Sequence, residues 1–366
     1  MTAVAPATGA RVSALRAKLK EKELDGILIS EGSNRRYLSG FVGTAGFLLI
    51  TEAQAVLATD FRYVEQAGRQ APAFRVERIR AGSDWLPKLA GELGVRKLGF
   101  EAENVTVAQL GRFKDAFKSA GEAAPEVELV ATTGITIEQR AIKDSNELAL
   151  LQRAITIADE AFDEVSEKIA PGMTEAEVAW QVELAVRGRG AEAVSFDTIV
   201  GAGPNGALPH HRAADRVIRE GEPVVIDMGA RYEGYCSDLT RTIILGKPDA
   251  RFGRVYDIVL GAQLTAIETL ASGMTGAECD KLARTVIETA GHGEDFGHSL
   301  GHGVGLEVHE SPGVGPTSKN VLENGMVFTV EPGIYLSGWG GVRIEDVVVL
   351  ENGRARVLSN ARKFVT

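Results

Sequence analysis

A two-domain α/β protein, its second domain built from an internal duplication, is the fold class this sequence predicts. Three observations lead there. The chain has 366 residues, more than one hydrophobic core ordinarily supports. Helical and strand-like patterns alternate through roughly the first 130 residues, as in a small α/β layer. Beyond that stretch the texture changes, and a pattern of residues appears twice in the same order.

Residues 11–24 carry a helical period, with Leu15 and Leu19 on one stripe. Gly26 to Ser30 then reads as a strand, as do Phe47 to Ile50 and Val56 to Thr59, and Thr106 to Ala120 reads as a second helix. Asp144 stands three residues before Glu147, a capping-box start for a long helix reaching about Lys168. The domain boundary is therefore placed at 135 to 143, dividing the chain into residues 1–138 and 139–366. In the second part, Gly172-Met173-Thr174-Glu175-Ala176-Glu177 returns as Gly273-Met274-Thr275-Gly276-Ala277-Glu278. Farther on, Gly221, Asp227 and Gly229 are echoed by Gly325, Glu331 and Gly333. The intervening Val224-Val225-Ile226 and Val327-Phe328-Thr329-Val330 are β-rich and apolar. Two copies of helix, helix, strand and acid follow, and a pseudo-twofold would bring the acid-bearing strand ends together at the domain centre.

Composition narrows the function. Apolar residues make up 44% and charged residues 25%, ordinary for a soluble globular chain. A net charge of -10 argues against nucleic acid, whose phosphates need a basic face. Two cysteines, Cys236 and Cys279, suit reduced thiols in a cytoplasm rather than a disulfide scaffold. Met1 to Ala10 has no basic lead before an apolar run, so no signal peptide is expected, and no apolar stretch of about 18 residues suggests a membrane span.

The chemistry concentrates in the second part. All 6 histidines lie between His210 and His309. Asp227 ends an apolar run, where a carboxylate must be paired, hydrogen-bonded, metal-bound or used as a turn cap before Gly229. Asp238 follows at a spacing that suits a hairpin returning it beside Asp227, and Glu331 and Glu345 repeat the arrangement. Converging carboxylates repel unless cations neutralise them. Adding one histidine gives a nitrogen and oxygen set suited to manganese, cobalt, zinc or iron rather than calcium. His302, between Gly301 and Gly303, is the best candidate, because glycines allow backbone and metal to approach closely. His298 and His309 flank it, while His210 and His211 end a glycine-rich loop.

In this order Asp227, Asp238, His302, Glu331 and Glu345 resemble the five-ligand signature of the pita-bread metallopeptidases. Ala207-Leu208-Pro209-His210, Ser237-Asp238-Leu239-Thr240-Arg241, Gly301-His302-Gly303-Val304-Gly305, Val308-His309-Glu310, Glu331-Pro332-Gly333-Ile334-Tyr335 and Arg343-Ile344-Glu345-Asp346 support it. Tyr37-Leu38-Ser39-Gly40-Phe41 and Thr59-Asp60-Phe61-Arg62-Tyr63 look like the N-terminal domain of the Xaa-Pro branch, aminopeptidase P and prolidase. The resemblance implies a pita-bread second domain, two divalent ions per subunit (manganese first, cobalt or zinc as alternatives) and proline-containing peptide substrates. It also implies a homodimer. Asp227 and Asp238 would hold one metal, His302 and Glu331 the other, with Asp238 and Glu345 bridging. Glu331 would shuttle a proton, His210 and His309 would stabilise the tetrahedral intermediate, His298 would sit on the proline side, and Arg343 would orient a bridging carboxylate. His211 has no matched role. Tyr335 and Trp339 are candidates for the proline pocket.

Aminopeptidase and dipeptidase both remain open. A dipeptidase needs a cation for the carboxylate just beyond proline. Many dipeptidase relatives have arginine where this chain has Gly313, which tilts the expectation towards an Xaa-Pro aminopeptidase unless Arg35, Arg36 or Arg62 replaces it. A non-catalytic peptide-binding module is the distant alternative, disfavoured because all five ligand positions are filled. A phosphatase is disfavoured by the lack of a glycine-rich phosphate cradle.

Overall fold

The structure is a computed structural model that describes residues 7–121 and 126–363. The chain divides into two compact units, Met1–Arg140 and Ala141–Thr366. The first holds α1 (Thr8–Glu21), β1 (Gly26–Ile29), α2 (Gly32–Ser39), β2 (Phe47–Thr51), β3 (Ala55–Thr59), α3 (Val64–Gln70), β4 (Arg75–Arg78), α4 (Trp85–Glu92), β5 (Lys97–Glu101), α5 (Val107–Ala120) and β6 (Glu128–Thr132), and α6 (Ile135–Ala141) follows. Its strands form one mixed sheet in the order β4-β3-β2-β1-β5-β6. Antiparallel pairing joins β1, β2 and β3, and the outer pairings are parallel.

Local sequence explains the elements. The first helix starts earlier and stops earlier than 11–24, because Glu23 takes a φ of 52° and turns the chain towards β1. Tyr37-Leu38-Ser39-Gly40 closes α2, with Gly40 at φ 78° as its left-handed cap. Thr106 caps α5 by accepting the amide of Gln109. Strand β4 (RVER) has no apolar alternation and an exposed edge, which explains why it gives no strand signal in sequence.

The second unit contains α7 (Ser145–Ser166), α8 (Glu175–Gly188), β7 (Ala193–Val194), β8 (Ile199–Ala202), β9 (Pro223–Met228), β10 (Ala230–Tyr232), β11 (Tyr235–Cys236) and β12 (Leu239–Ile244). There follow α9 (Ala250–Thr269), α10 (Gly276–Thr289), β13 (Gly301–Gly303), β14 (Glu310–Val314), β15 (Val327–Val330), β16 (Gly333–Leu336), β17 (Gly340–Arg343), β18 (Asp346–Glu351) and β19 (Arg354–Val357). The duplication is visible throughout. Asp144, Thr174 and Thr275 each cap a helix with a capping box, completed by Glu147, Glu177 and Glu278. Sheet β12-β9-β8 corresponds to the β18-β15-β13 part of the five-stranded sheet β14-β13-β15-β18-β19. In each copy a small ribbon (β10 with β11, β16 with β17) leaves between the two central strands.

Backbone bonds repeat as well. Gly172 donates to the Ile218 carbonyl at 3.0 Å as Gly273 does to Leu322 at 2.8 Å, and Gly221 donates to Leu245 at 2.8 Å as Gly325 does to Leu350 at 2.8 Å. Each half has its own apolar core. One is built on Phe162, Val182, Val224 and Ile226, the other on Phe252, Ile287, Phe328 and Val348. Among the described residues no helix is long and apolar enough to cross a membrane.

Candidate active site

The acids sit where the central strands of the two copies end. Asp227, on β9, faces Thr240 of β12 across the antiparallel ladder, and Asp238 immediately precedes β12. The expected hairpin is thus more elaborate than a simple turn: β9 and β12 do pair, but the ribbon β10–β11 lies between them in sequence. Glu331 directly follows β15, and Glu345 directly precedes β18, whose Asp346 pairs with Val330. The Glu345 amide donates to the Thr240 carbonyl at 3.1 Å, which brings the two halves together.

Asp238, His302 and Glu345 present donor atoms within 4.8 Å of one another. His302 Nε2 lies 3.2 Å from Glu331 Oε1 and 3.7 Å from Asp238 Oδ2. Its Nδ1 lies 3.1 Å from the Gly303 carbonyl, which can only accept, so the proton of the neutral ring sits on Nδ1 and the Nε2 lone pair faces the carboxylates. The flanking glycines do allow the backbone to approach closely. A Cβ on Gly301 would lie 2.0 Å from the Thr329 carbonyl oxygen, and one on Gly303 would lie 2.2 Å from that of Ser311. Neighbouring backbone therefore requires their lack of a side chain.

Arg343 organises the floor. Its Nη2 donates to Asp227 Oδ2 at 2.6 Å, its Nε to Thr240 Oγ1 at 3.0 Å and its Nη1 to the Tyr335 hydroxyl at 2.8 Å. Thr240 Oγ1 in turn donates a hydrogen bond to Glu345 Oε2 at 2.7 Å. His298 Nε2 lies 2.8 Å from the Tyr335 hydroxyl, while its Nδ1 lies 2.8 Å from the Ser299 carbonyl. Thr329 Oγ1 donates to Glu331 Oε1 at 2.9 Å and accepts the His302 amide at 3.1 Å.

Electrostatics marks this as a site short of positive charge. Burial, then the charges of Glu345, Asp227 and Glu331, push Asp238 well above the ordinary carboxylate range. Burial, then Glu331 and Asp227, do the same to Glu345, and burial raises Asp227 against the opposing pull of Arg343. Glu331 is the exception. Burial pushes it up, but the hydrogen bond and charge of His302, with His298 and Arg343, outweigh that and bring it to about 2. Burial acts to lower His302, and Glu331 outweighs it and raises the histidine. His309 is lowered by burial and by His302, whose ring centroid is 4.1 Å away, and His298 is lowered chiefly by burial. Asp227 Oδ1 is buried with no hydrogen-bond partner. An orphaned carboxylate oxygen, a histidine lone pair and mutually repelling acids fit a divalent metal centre.

The expected metal ligands, the three expected histidines beside them and Arg343 line one cavity of about 590 Å³: His210, Asp227, Asp238, His298, His302, His309, Glu331, Arg343 and Glu345. Sequence reasoning missed most of its apolar wall, Phe196 before β8, Ile199 at its start and Val314 at the end of β14, because these positions carry no chemical signature; Val308, the fourth member, stands out only as the neighbour of His309. In the sequence Thr240 stands out only as a member of Ser237-Asp238-Leu239-Thr240-Arg241. Its bonds to Arg343 and Glu345 join residues more than a hundred positions apart, a pairing that local spacing does not reveal. Trp339 is not among the cavity's lining residues. It packs on the second core beneath Arg251, whose guanidinium lies 4.7 Å from the ring centroid. Tyr335 reaches the site through His298 and Arg343. His292 pairs with Asp295 at 2.8 Å outside the cavity. Arg35 does not serve as a substrate clamp, since it is buried and donates to the carbonyls of Ser30, Gly43 and Gly46.

Residues 149–352 match metallopeptidase family M24. The chain belongs to that family. Residues 11–142 of this M24 metallopeptidase match the creatinase/prolidase N-terminal domain. The enzyme is similar to the structure of an Xaa-Pro dipeptidase from Bacillus anthracis, at 42% identity and a TM-score of 0.93 over 98% of this chain and 99% of the other. It is 38% identical to an Xaa-Pro dipeptidase from Pyrococcus horikoshii over 95% of this chain and 96% of the relative. An X-Pro aminopeptidase structure from Thermotoga maritima is also similar, at 38% identity and a TM-score of 0.88 over 97% and 99% of the two chains.

Proposed function

We propose that this M24 enzyme is a metal-dependent Xaa-Pro dipeptidase, hydrolysing the bond between an N-terminal residue and proline. The observation that carries the reading is a cavity lined by Asp227, Asp238, His302, Glu331 and Glu345 in a chain similar along its length to proteins named Xaa-Pro dipeptidase. Those relatives favour the dipeptidase over the aminopeptidase towards which Gly313 tilts. The aminopeptidase is the second reading. Among the described residues lining the cavity, Arg343 is the only lysine or arginine, and it is engaged by Asp227 and Tyr335.

Asp227 and Asp238 would hold one divalent ion, His302 and Glu331 a second, with Asp238 and Glu345 shared between them. When bound, such ions supply Lewis acidity to a carbonyl and make water acidic enough to attack near neutral pH. Glu331, which lines the cavity beside His302, would take the proton of the attacking water, the role the resemblance to this family implies. Arg343 and Thr240 hold Asp227 and Glu345 in place. His309, kept neutral by burial and by His302, offers an N–H to the developing oxyanion, and His210 holds the substrate from the opposite copy of the repeat. The scissile amide before proline has no N–H, so its neighbours need supply no acceptor, and Phe196, Ile199, Val308 and Val314 offer apolar packing for the ring. Manganese is the first metal to test, because mixed nitrogen and oxygen donors suit it. A homodimer is the working state on the resemblance to Xaa-Pro peptidases alone, and a cytoplasmic setting on the two free cysteines, Cys236 and Cys279.

Comparing Ala-Pro with Ala-Pro-Ala in the presence of manganese separates the readings. Faster cleavage of Ala-Pro is the expected result. Cleavage confined to Ala-Pro-Ala would replace the dipeptidase with an aminopeptidase, and cleavage of neither would remove both.

A further inference from the structure

Glu175 is the first residue of α8, and its carboxylate is 0% exposed. A carboxylate taken fully from water demands donors, and this one has three. It accepts the Ala202 amide at 2.8 Å, the Asn205 side-chain amide at 3.0 Å, and lies 2.8 Å from His211 Nε2. These partners mark the start, middle and end of one loop. Within the loop the Leu208 amide donates to the Asn205 carbonyl at 3.0 Å, and the His211 amide to the Leu208 carbonyl at 3.0 Å. The residue presented at the end of this tied segment is His210, which lines the catalytic cavity. His211 does not line that cavity. It turns away, towards α8.

The duplication supplies a control within the molecule. The residue corresponding to Glu175 is Gly276, the first residue of α10. In both copies the backbone at this position does the same work. Glu175 and Ala176 donate to the Arg216 and Ala214 carbonyls at 3.1 and 3.0 Å, as Gly276 and Ala277 donate to those of Asn320 and Ser318 at 2.8 and 3.1 Å. In the second copy no carboxylate is present or could be, because a Cβ on Gly276 would lie 2.3 Å from the Gly313 carbonyl oxygen. The repeat therefore folds without an acid at this place. The acid appears only in the copy whose loop carries His210.

We propose that Glu175 and His211 are positioning residues that fix His210 against the scissile bond. This rests on the reading above that His210 touches the substrate. Neither Glu175 nor His211 lines the cavity, so they act on it through the loop that carries His210. Loss of such an outer partner lowers activity by about 10- to 100-fold where the inner group depends on it.

The test is a double-mutant cycle on His210→Ala and His211→Ala, read as kcat and KM on whichever of Ala-Pro and Ala-Pro-Ala the manganese-loaded wild type cleaves faster. His211→Ala is expected to lower kcat by about tenfold with KM nearly unchanged and manganese content equal to wild type. In the His210→Ala background the same substitution is expected to have no further effect. Glu175→Gln, which keeps the acceptor for the Ala202 amide and the size of the side chain, is expected to retain more activity than Glu175→Ala. Wild-type kcat in His211→Ala would overturn the proposal, and so would an equal loss in both backgrounds, which marks a general structural role. Unchanged kcat in His210→Ala would instead remove the role of His210 itself, and the positioning with it.

Discussion

Thr240 shows how a single side chain can tie the two copies together. Its hydroxyl accepts from Arg343 Nε and donates to Glu345 Oε2, so one small residue on β12 orders two groups that belong to the other half. The acids it helps to place set the pH behaviour of the site. Asp238 and Glu345 both hold protons above the usual carboxylate range when no metal neutralises them, by burial first and by neighbouring acids second. Ligation needs them deprotonated, and it needs His302 neutral, although Glu331 raises that histidine. Binding of manganese must therefore release protons and tighten as pH rises. Calorimetric titration at about pH 6 and about pH 8 should show tighter binding at the higher value, with proton release into the buffer. Equal affinities without proton release would contradict the assignment. The ligand residues were legible in sequence because each lies within a short string of distinctive neighbours. Thr240, Tyr335 and the apolar wall act through contacts that sequence spacing does not encode.

Helix α7 shows the same physics at the scale of an element. Its capping box and length follow from Asp144 and Glu147, which sequence shows directly. Its buried Asp159 was not legible, because its partner, the Asn360 amide, lies some two hundred positions away and donates to Oδ2 at 2.7 Å. Burial raises Asp159 from 3.8 to about 6, against the backbone amides and Arg241. Between those values the folded chain keeps a proton the unfolded chain has lost, so stability is full below the lower value and falls as pH rises through the upper one. The loss is on the order of 3 kcal/mol at about 1.4 kcal/mol per unit. Asp159→Asn removes the titration. Chemical denaturation should show the stability of wild type falling relative to this variant from about pH 4 to about pH 7, and parallel curves would show that Asp159 is not buried in its acid form.

At the scale of the molecule, the duplication is what makes a metal centre from ordinary strands. Each copy ends its central strands in carboxylates, and the cores on either side leave those acids facing one another rather than water. This was the most legible feature of the chain, since Gly172 to Glu177 and Gly273 to Glu278 have matching roles as helix caps and the acids recur in register. The N-terminal sheet was only half legible. Its apolar strands β1, β2 and β3 announce themselves, but polar β4 (RVER) and the mixed β5 (KLGFE) and β6 (ELVAT), which carry charged residues at their ends, depend on neighbours for their pairing. The copies differ where function demands it, with Glu175 in one and Gly276 in the other, and with His210 opposite His302 and His309.

The measurement that bears most directly on this account is the metal content of the purified chain, taken with its activity on Ala-Pro before and after chelation. Two manganese ions per wild-type chain are expected, with activity lost on chelation and restored on reloading. His302→Ala and Glu345→Ala are expected to hold fewer ions and to leave the substrate intact while remaining folded. Undiminished cleavage after complete removal of metal, or full turnover by either variant, would contradict it.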